Sequence, residues 1–382
     1  MVRRVRCGHG LRVVAREFGV HVSTVSFWVE RSAGQRLDRF SFTDHKRGRA
    51  WNRTETALER NILQTRAYLR EHSALGEYGA DAIERTLQEH GCAISRATIN
   101  RVLKRHGATD AHGRMRRPAP PKGWYLPEVA ADRAEVDCFD FIEDLKIAGG
   151  PLVCVLTGKS LHGALTDAWV LDRLSARGSI PCLQERWRRD GLPAYAQFDN
   201  DMVFQGAHRY PDTVGRISRL CLALGVIPVF VPPLEHGMQN LIESFNGLWQ
   251  AKVWQRHHVG SAAELQTVSD TYIAAHRARS ASAADRAPAR QTMPTHFEFD
   301  VRIPLRRQMI FVRRTTETGR VYLLGQHFAV SPEWSHRLVR CEVDFDHHCI
   351  RCFALRRRAP TEHTLLATLN YHHPDKPFQG EP

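Results

Sequence analysis

Between residues 124 and 280 the chain changes texture, and that change limits the folds open to it. Three apolar-rich runs, 134–142 (AEVDCFDFI), 151–157 (PLVCVLT) and 163–170, follow one another with short connections. After them strand and helix signals alternate. A helical stretch covers 181–189, a fourth strand 194–198, and an amphipathic helix 213–224 with Ile217, Leu220, Cys221 and Leu224 on one side. A fifth strand at 226–231 stops at Pro232 and Pro233, and helices follow at 238–254 and 262–279. Consecutive strands pair as antiparallel neighbours, whereas strand–helix–strand units force parallel pairing. Together they predict a mixed α/β sheet rather than a plain doubly wound one.

The residues before this region read as helices. In 11–31 apolar side chains recur at helical spacing, interrupted at Gly19, where a left-handed turn suits glycine. Ser23 is placed to cap the following helix. Helix, glycine turn and second helix form the helix-turn-helix pattern, which would present Ser23, Thr24, Ser26 and Phe27 to a DNA major groove. The pattern recurs in 79–106, with a break at Gly91, a cap at Ser95, and Arg96, Asn100, Arg101, Lys104 and Arg105 on the outer surface. Read as a plain helical hairpin, each unit would only pack; two in tandem, in an Arg-rich context, favour DNA. Residues 108–123, with Arg116, Arg117 and three prolines, form a basic linker that lies along phosphates or serves as a spacer. Residues 280–300 are a second linker, and 308–358 alternate as short strands that predict a small β-barrel, basic outside through Arg313 and Arg314. The expected organisation is helix-turn-helix units at 1–50 and 51–107, linker 108–123, core 124–280, linker 281–305, barrel 306–360 and tail 361–382.

Charge follows the same division. The chain carries 54 Lys and Arg against 41 Asp and Glu. Residues 1–123 hold 24 basic and 12 acidic side chains, 124–280 hold 15 and 18, and 281–382 hold 15 and 11. Basic flanks suit a polyanion, because each neutralised phosphate releases counterions. A slightly acidic centre suits divalent cations. Nine scattered cysteines are no secreted disulfide framework, no apolar segment is long enough to span a bilayer, and the N-terminus has no signal-peptide core. A cytoplasmic protein with no membrane partner is expected.

Three acidic residues stand where chemistry is plausible. Asp137 lies inside the first strand of the α/β region, where a carboxylate is costly unless paired or metal-bound. Asp199 directly follows the fourth strand, in QFDND, and strand ends are where α/β folds place ligands. Glu243 sits on an apolar helix, in QNLIESFNGLWQ. Taken singly, each is more simply a salt-bridged strand residue, an Asx turn or a solvent-facing helix residue. Taken together, carboxylates without neighbouring Cys or His suit Mg²⁺ or Mn²⁺, two per site, in phosphoryl transfer. Asp140 competes with Asp137. Strand alternation puts the two on opposite faces, so only one can face the site, and Asp137 is preferred. Asp201 is a weaker rival to Asp199. The His347-His348-Cys349 and Cys352 cluster reads as a strand rather than a zinc site.

EVDCFDF, QFDND and PPLEHGMQNLIESFN resemble, in order and in local element, the three signatures of retroviral-integrase-type (DDE) transposases. With the tandem helix-turn-helix units, the chain resembles a bacterial insertion-sequence transposase over roughly residues 10–355. The resemblance implies a ribonuclease H-like core, with metal ligands carried onto Asp137, Asp199 and Glu243. It also implies 3′-end cleavage and strand transfer on double-stranded transposon ends and target DNA by a dimer or higher oligomer. Two departures stand out. The 43 residues between Asp199 and Glu243 are more than most integrases show, which suggests an insertion around 204–216. Where many relatives carry a basic residue one turn after the Glu, this chain has Gly247, and Lys252 comes later. Asn200 is expected to orient Asp199 or to contact DNA, Asn246 to do either or only to hydrogen-bond locally, and Lys252 to contact DNA. The competing readings are a DNA-binding regulator or inactive remnant, and a nuclease that cuts without joining. The pathway, the end sequence and any helper ATPase are not legible in the sequence.

Overall fold

The computed structural model describes residues 1–40, 54–73, 77–109, 121–207, 210–232, 235, 237–357, 363–374 and 378. Arg116 and Arg117 of the basic linker, and His236, lie outside the described residues.

Helices α1 (Val2–Arg6), α2 (Leu11–Glu17) and α3 (Val22–Arg31) close on a small core of Val14, Ala15 and Val25. Gly19 makes the turn at φ +62°, as its left-handed role requires. The cap of α3 is His21, whose ring accepts from the Ser23 backbone N–H, not Ser23 itself. Helices α4 (Thr56–His72), α5 (Ala80–Glu89) and α6 (Arg96–Arg105) form a second unit around Ile62, Ile83, Leu87, Ile99, Val102 and Leu103. Here Gly91 takes φ +76° and Ser95 caps α6, accepting from the Thr98 N–H.

The rest is built on one sheet. A short helix α7 (Pro127–Ala130) leads into β1 (Val136–Lys146), β2 (Leu152–Ser160) and β3 (Thr166–Leu171), a sequential antiparallel run. Then come α8 (Ala176–Asp190), β4 (Tyr195–Phe198), α9 (Met202–Gln205), α10 (Arg216–Leu224), β5 (Ile227–Phe230), α11 (Asn240–Trp249) and α12 (Ala262–Ala284). Pro181, which reads as a helix start, lies inside α8; the true cap is Ser175, which accepts from the Gly178 N–H. A π-helical turn, Gln250–Trp254, follows α11. Strand β4 pairs parallel with both β1 and β5, as the alternation of strands and helices demands.

The C-terminal strands depart from the expected free-standing barrel. Strands β6 (Gln308–Arg314), β9 (Leu338–Asp344), β10 (Cys349–Ala354) and β11 (Leu365–Asn370) continue the central sheet, while β7 (Arg320–Leu323) and β8 (Gln326–Ala329) form a separate hairpin. The nine-stranded order is β11-β10-β9-β6-β5-β4-β1-β2-β3. The cause is the composition of β6. Its Met309 and Phe311 join the apolar layer on one face, its Ile310 and Val312 the layer on the other. A strand apolar on both faces needs cover on both, and the edge beside β5 supplies it. Strand β11 falls in residues that the sequence suggests are tail. The expected insertion docks here as well: the Asp212 N–H donates to the Leu324 carbonyl, and its carboxylate accepts from Gln326 and Tyr371.

A chain ending at residue 305 is therefore expected to lose cooperative thermal unfolding and to aggregate, since the β5 edge and much of the apolar layer under α8 and α10 are bared. A soluble truncated chain melting like the full protein would make the C-terminal strands an independent unit instead.

Candidate active site

The two apolar layers define two faces of the sheet, and the strand period of two assigns every β1 side chain to one of them. Val136 and Cys138 belong to the layer under α11 and α12, Phe139 to the layer under α8 and α10. Asp137 shares the face of Phe139. It is fully buried and accepts from Arg186 Nε (2.9 Å) and Nη2 (3.0 Å), Arg290 Nη2 (2.5 Å) and Nη1 (3.2 Å), and Trp187 Nε1 (3.3 Å). The two guanidiniums outweigh burial and hold its carboxyl well below the usual range. Arg186 also donates to Asp167, which accepts from Arg189 and Arg277 as well. Every oxygen of Asp137 is thus committed to a buried ionic cluster on the face away from α11.

Asp140 takes the α11 face. Its Oδ1 accepts from the Phe141 N–H (2.9 Å) and its Oδ2 from Asn246 Nδ2 (2.8 Å) on α11. Thr157 of β2, level with Asp140, lies 2.7 Å from Asn246 Oδ1 through its hydroxyl and fixes that amide. Asp199 arrives by register. Strand β4 runs parallel to β1 with Val136 level with Tyr195, Asp137 with Ala196 and Cys138 with Gln197. Continued past those pairs, the same register sets Asp199 level with Asp140, one strand spacing away on the same face. Glu243 is exposed in the first turn of α11, one turn before Asn246 and on the same side of the helix.

Electrostatics link the three. Burial first, then the charge of Asp199 and, less strongly, those of Glu243 and Glu143, push the Asp140 carboxyl up to about 7; its bond from the Phe141 N–H acts the other way. Among the described residues no three His, Cys, Asp or Glu side chains are gathered into a ready-made metal cage. The carboxylates here act on one another through space. The structure thus brings Asp140, Asp199 and Glu243 to one face, and Asp137 to the other.

The remaining expected residues divide similarly. Asp199 Oδ1 accepts from the Asp201 N–H, and Asp201 caps α9 through the Val203 N–H. Asn246 is buried and hydrogen-bonded to Asp140 and Thr157. Asn200 donates to the Val231 carbonyl and accepts from Arg313. Arg313, expected on a basic exterior, is buried, because β6 lies within the sheet rather than on a barrel surface. Arg314 pairs with Glu235. Lys252 lies over the Tyr78 ring. On α6, Asn100, Arg101 and Lys104 are exposed, while Arg96 is paired with Asp81 and Glu84 and Arg105 with Glu59. On α3, Ser23 and Phe27 are exposed, Thr24 is half-buried, and Ser26 donates to Glu30.

No family model matches the sequence, and no curated protein matches it. Three solved structures illustrate what the chain is similar to. For the catalytic core domain of BIV integrase the TM-score is 0.27 at 15% identity, over 36% of this chain and 80% of that one. For the HTLV-2 integrase catalytic core domain in complex with magnesium the values are 0.28 and 11%, over 36% and 82%. For a simian T-cell lymphotropic virus intasome in complex with PP2A regulatory subunit B56 gamma they are 0.34 and 12%, over 68% and 87%.

The two aspartates are expected to respond oppositely to pH. Asp140 has a raised folded-state pKa, so the fold loses stability as pH rises from about 4 to about 7, where the unfolded carboxylate ionises first. Without divalent cation, Asp140→Asn should raise the melting temperature by a few degrees at pH 8 and leave it unchanged near pH 4. Asp137 has a depressed pKa, so its stabilisation is present above about pH 4 and is lost at lower pH. Asp137→Asn should cost about 3–5 kcal/mol at neutral pH, because it strands buried guanidinium charge. A destabilising Asp140→Asn at pH 8 would contradict the assignment.

Proposed function

We propose that this protein is a divalent-metal-dependent polynucleotidyl transferase acting on double-stranded DNA, with Asp140, Asp199 and Glu243 as its metal-binding carboxylates. The observation that carries this reading is the half-buried Asp140, level with Asp199 and under the charge of Glu243, whose ionisation is unfavourable until a cation compensates it. The donor set fits Mg²⁺ or Mn²⁺: three hard oxygen ligands from separate elements, at the carboxyl end of a parallel strand. Two such ions, when bound, supply activation of the attacking oxygen and neutralisation of the leaving one in phosphoryl transfer. The chain's own residues orient the ligands. Asn246, backed by Thr157, sets the Asp140 carboxylate, and the Asp201 N–H sets that of Asp199.

The transposase reading adds substrate and assembly. The two N-terminal helical units would engage the DNA ends, α3 through Ser23, Thr24 and Phe27, and α6 through Asn100, Arg101 and Lys104. Arg96 and Arg105, tied to acidic neighbours, would hold their own unit together. Pairing of two ends asks for at least two copies of the chain. Arg116 and Arg117 would follow the phosphate backbone, and Lys252 and Arg314 would border the DNA near the site.

The test uses purified full-length protein, Mg²⁺ or Mn²⁺, and labelled duplex DNA from the borders of its own gene. Wild type should yield cleaved and then joined product. Asp140→Asn and Glu243→Gln should bind the DNA and give neither product. Full activity in Asp140→Asn would refute the carboxylate assignment. Cleavage without joining would favour a plain nuclease.

A further inference from the structure

Arg313 is an anomaly. Its side chain is buried, and six oxygens accept from it: the carbonyls of Tyr322 (3.2 Å), Phe230 (3.3 Å), Val231 (3.4 Å) and Val312 (2.9 Å), Asn200 Oδ1 (2.7 Å) and Gln205 Oε1 (3.5 Å). None of these is a carboxylate. Among the described residues no carboxylate pairs with this guanidinium; burying such a charge is expensive, and burial lowers its pKa to about 10. The cost points to a place where five donors fixed in one plane are worth more than an apolar side chain.

That place is the support of the carboxylate site. Asn200 directly follows Asp199. Its Nδ2 donates to the Val231 carbonyl, 2.5 Å away, while its Oδ1 accepts from Arg313 Nη2, so Asn200, Val231 and Arg313 close a hydrogen-bonded ring. Gln205 ends α9, so Arg313 grips the loop both just after Asp199 and at its far end. Val231 leaves β5 on the path towards α11 and Glu243. One side chain of β6 therefore ties the loop that follows Asp199 to the end of β5.

We infer that Arg313 is a positioning residue for the metal site, holding the Asp199 loop through Asn200, and that the C-terminal strands are thereby part of the catalytic scaffold. This rests on the carboxylate reading above. A ligand held by such an outer contact typically loses 10–100-fold in metal affinity when the contact is removed.

The experiment is an Mn²⁺ titration of the full chain, followed by electron paramagnetic resonance, with melting of the metal-free protein alongside. The variants are Asn200→Ala, Arg313→Lys (which keeps a buried cation but cannot span the same acceptors) and their combination. Asn200→Ala should weaken Mn²⁺ binding roughly 10-fold or more. Arg313→Lys should weaken it similarly, and the combination should lose clearly less than the two separate losses added together, because both act on the Asp199 loop through the Asn200 contact they share. A merely structural arginine would give additive losses of affinity that follow the melting temperature, and that result overturns the inference. So does an Asn200→Ala protein that binds Mn²⁺ as wild type does. Wild type that binds no Mn²⁺ overturns the carboxylate reading itself, and this inference with it.

Discussion

The buried contact between Asp137 and Arg186 fixes the chemistry of the whole sheet. It lies between the first strand and α8, with Arg290 closing over it from the chain beyond α12. Its net energetic worth is modest, because two charges had to leave water. Its effect on register is not. Slipping β1 by one residue would turn Asp137 and Phe139 to the other face, leaving Arg290 without its buried carboxylate and Arg186 with Asp167 alone. With Asp137 held on the α8 face, Asp140 can only present itself to α11. Asp137, which the sequence offers as a metal ligand, sits in the ionic cluster that fixes which face Asp140 takes.

The parallel register of β1 and β4 then does the rest. A strand pair offers its neighbour at a fixed spacing, so two aspartates at level positions face each other whether or not a cation lies between them. Burial first, and then the charge of Asp199, raise the Asp140 carboxyl to about 7. Glu243 comes from a helix whose placement depends on Asn246 reaching Asp140 and on Phe245 and Trp249 packing beneath. Rigid strands thus carry two of the carboxylates and a docked helix the third.

Much of this was legible in the sequence, and the failures have physical causes. Periodicity located the strands and helices of the core, and the glycine turns at Gly19 and Gly91 marked both N-terminal helix pairs. The choice between Asp137 and Asp140 could not be made locally. Alternation separates their faces, but which face holds the site is decided by Arg186, 49 residues on, and by Asn246, 106 residues on. The barrel expectation failed at β6, where short apolar runs read as an independent set of strands although both faces of that strand are buried. For Arg313, charge alone predicts exposure. Only the fold shows that its neighbours are carbonyls 82 and 83 residues away.

The most direct measurement is a crystal structure of the protein with Mn²⁺, using anomalous scattering to place the ion. Anomalous density is expected between Asp140 and Asp199, on the α11 face of β1, with Asp137 still held by Arg186 and Arg290. Density at Asp137, with those arginines displaced, would contradict it.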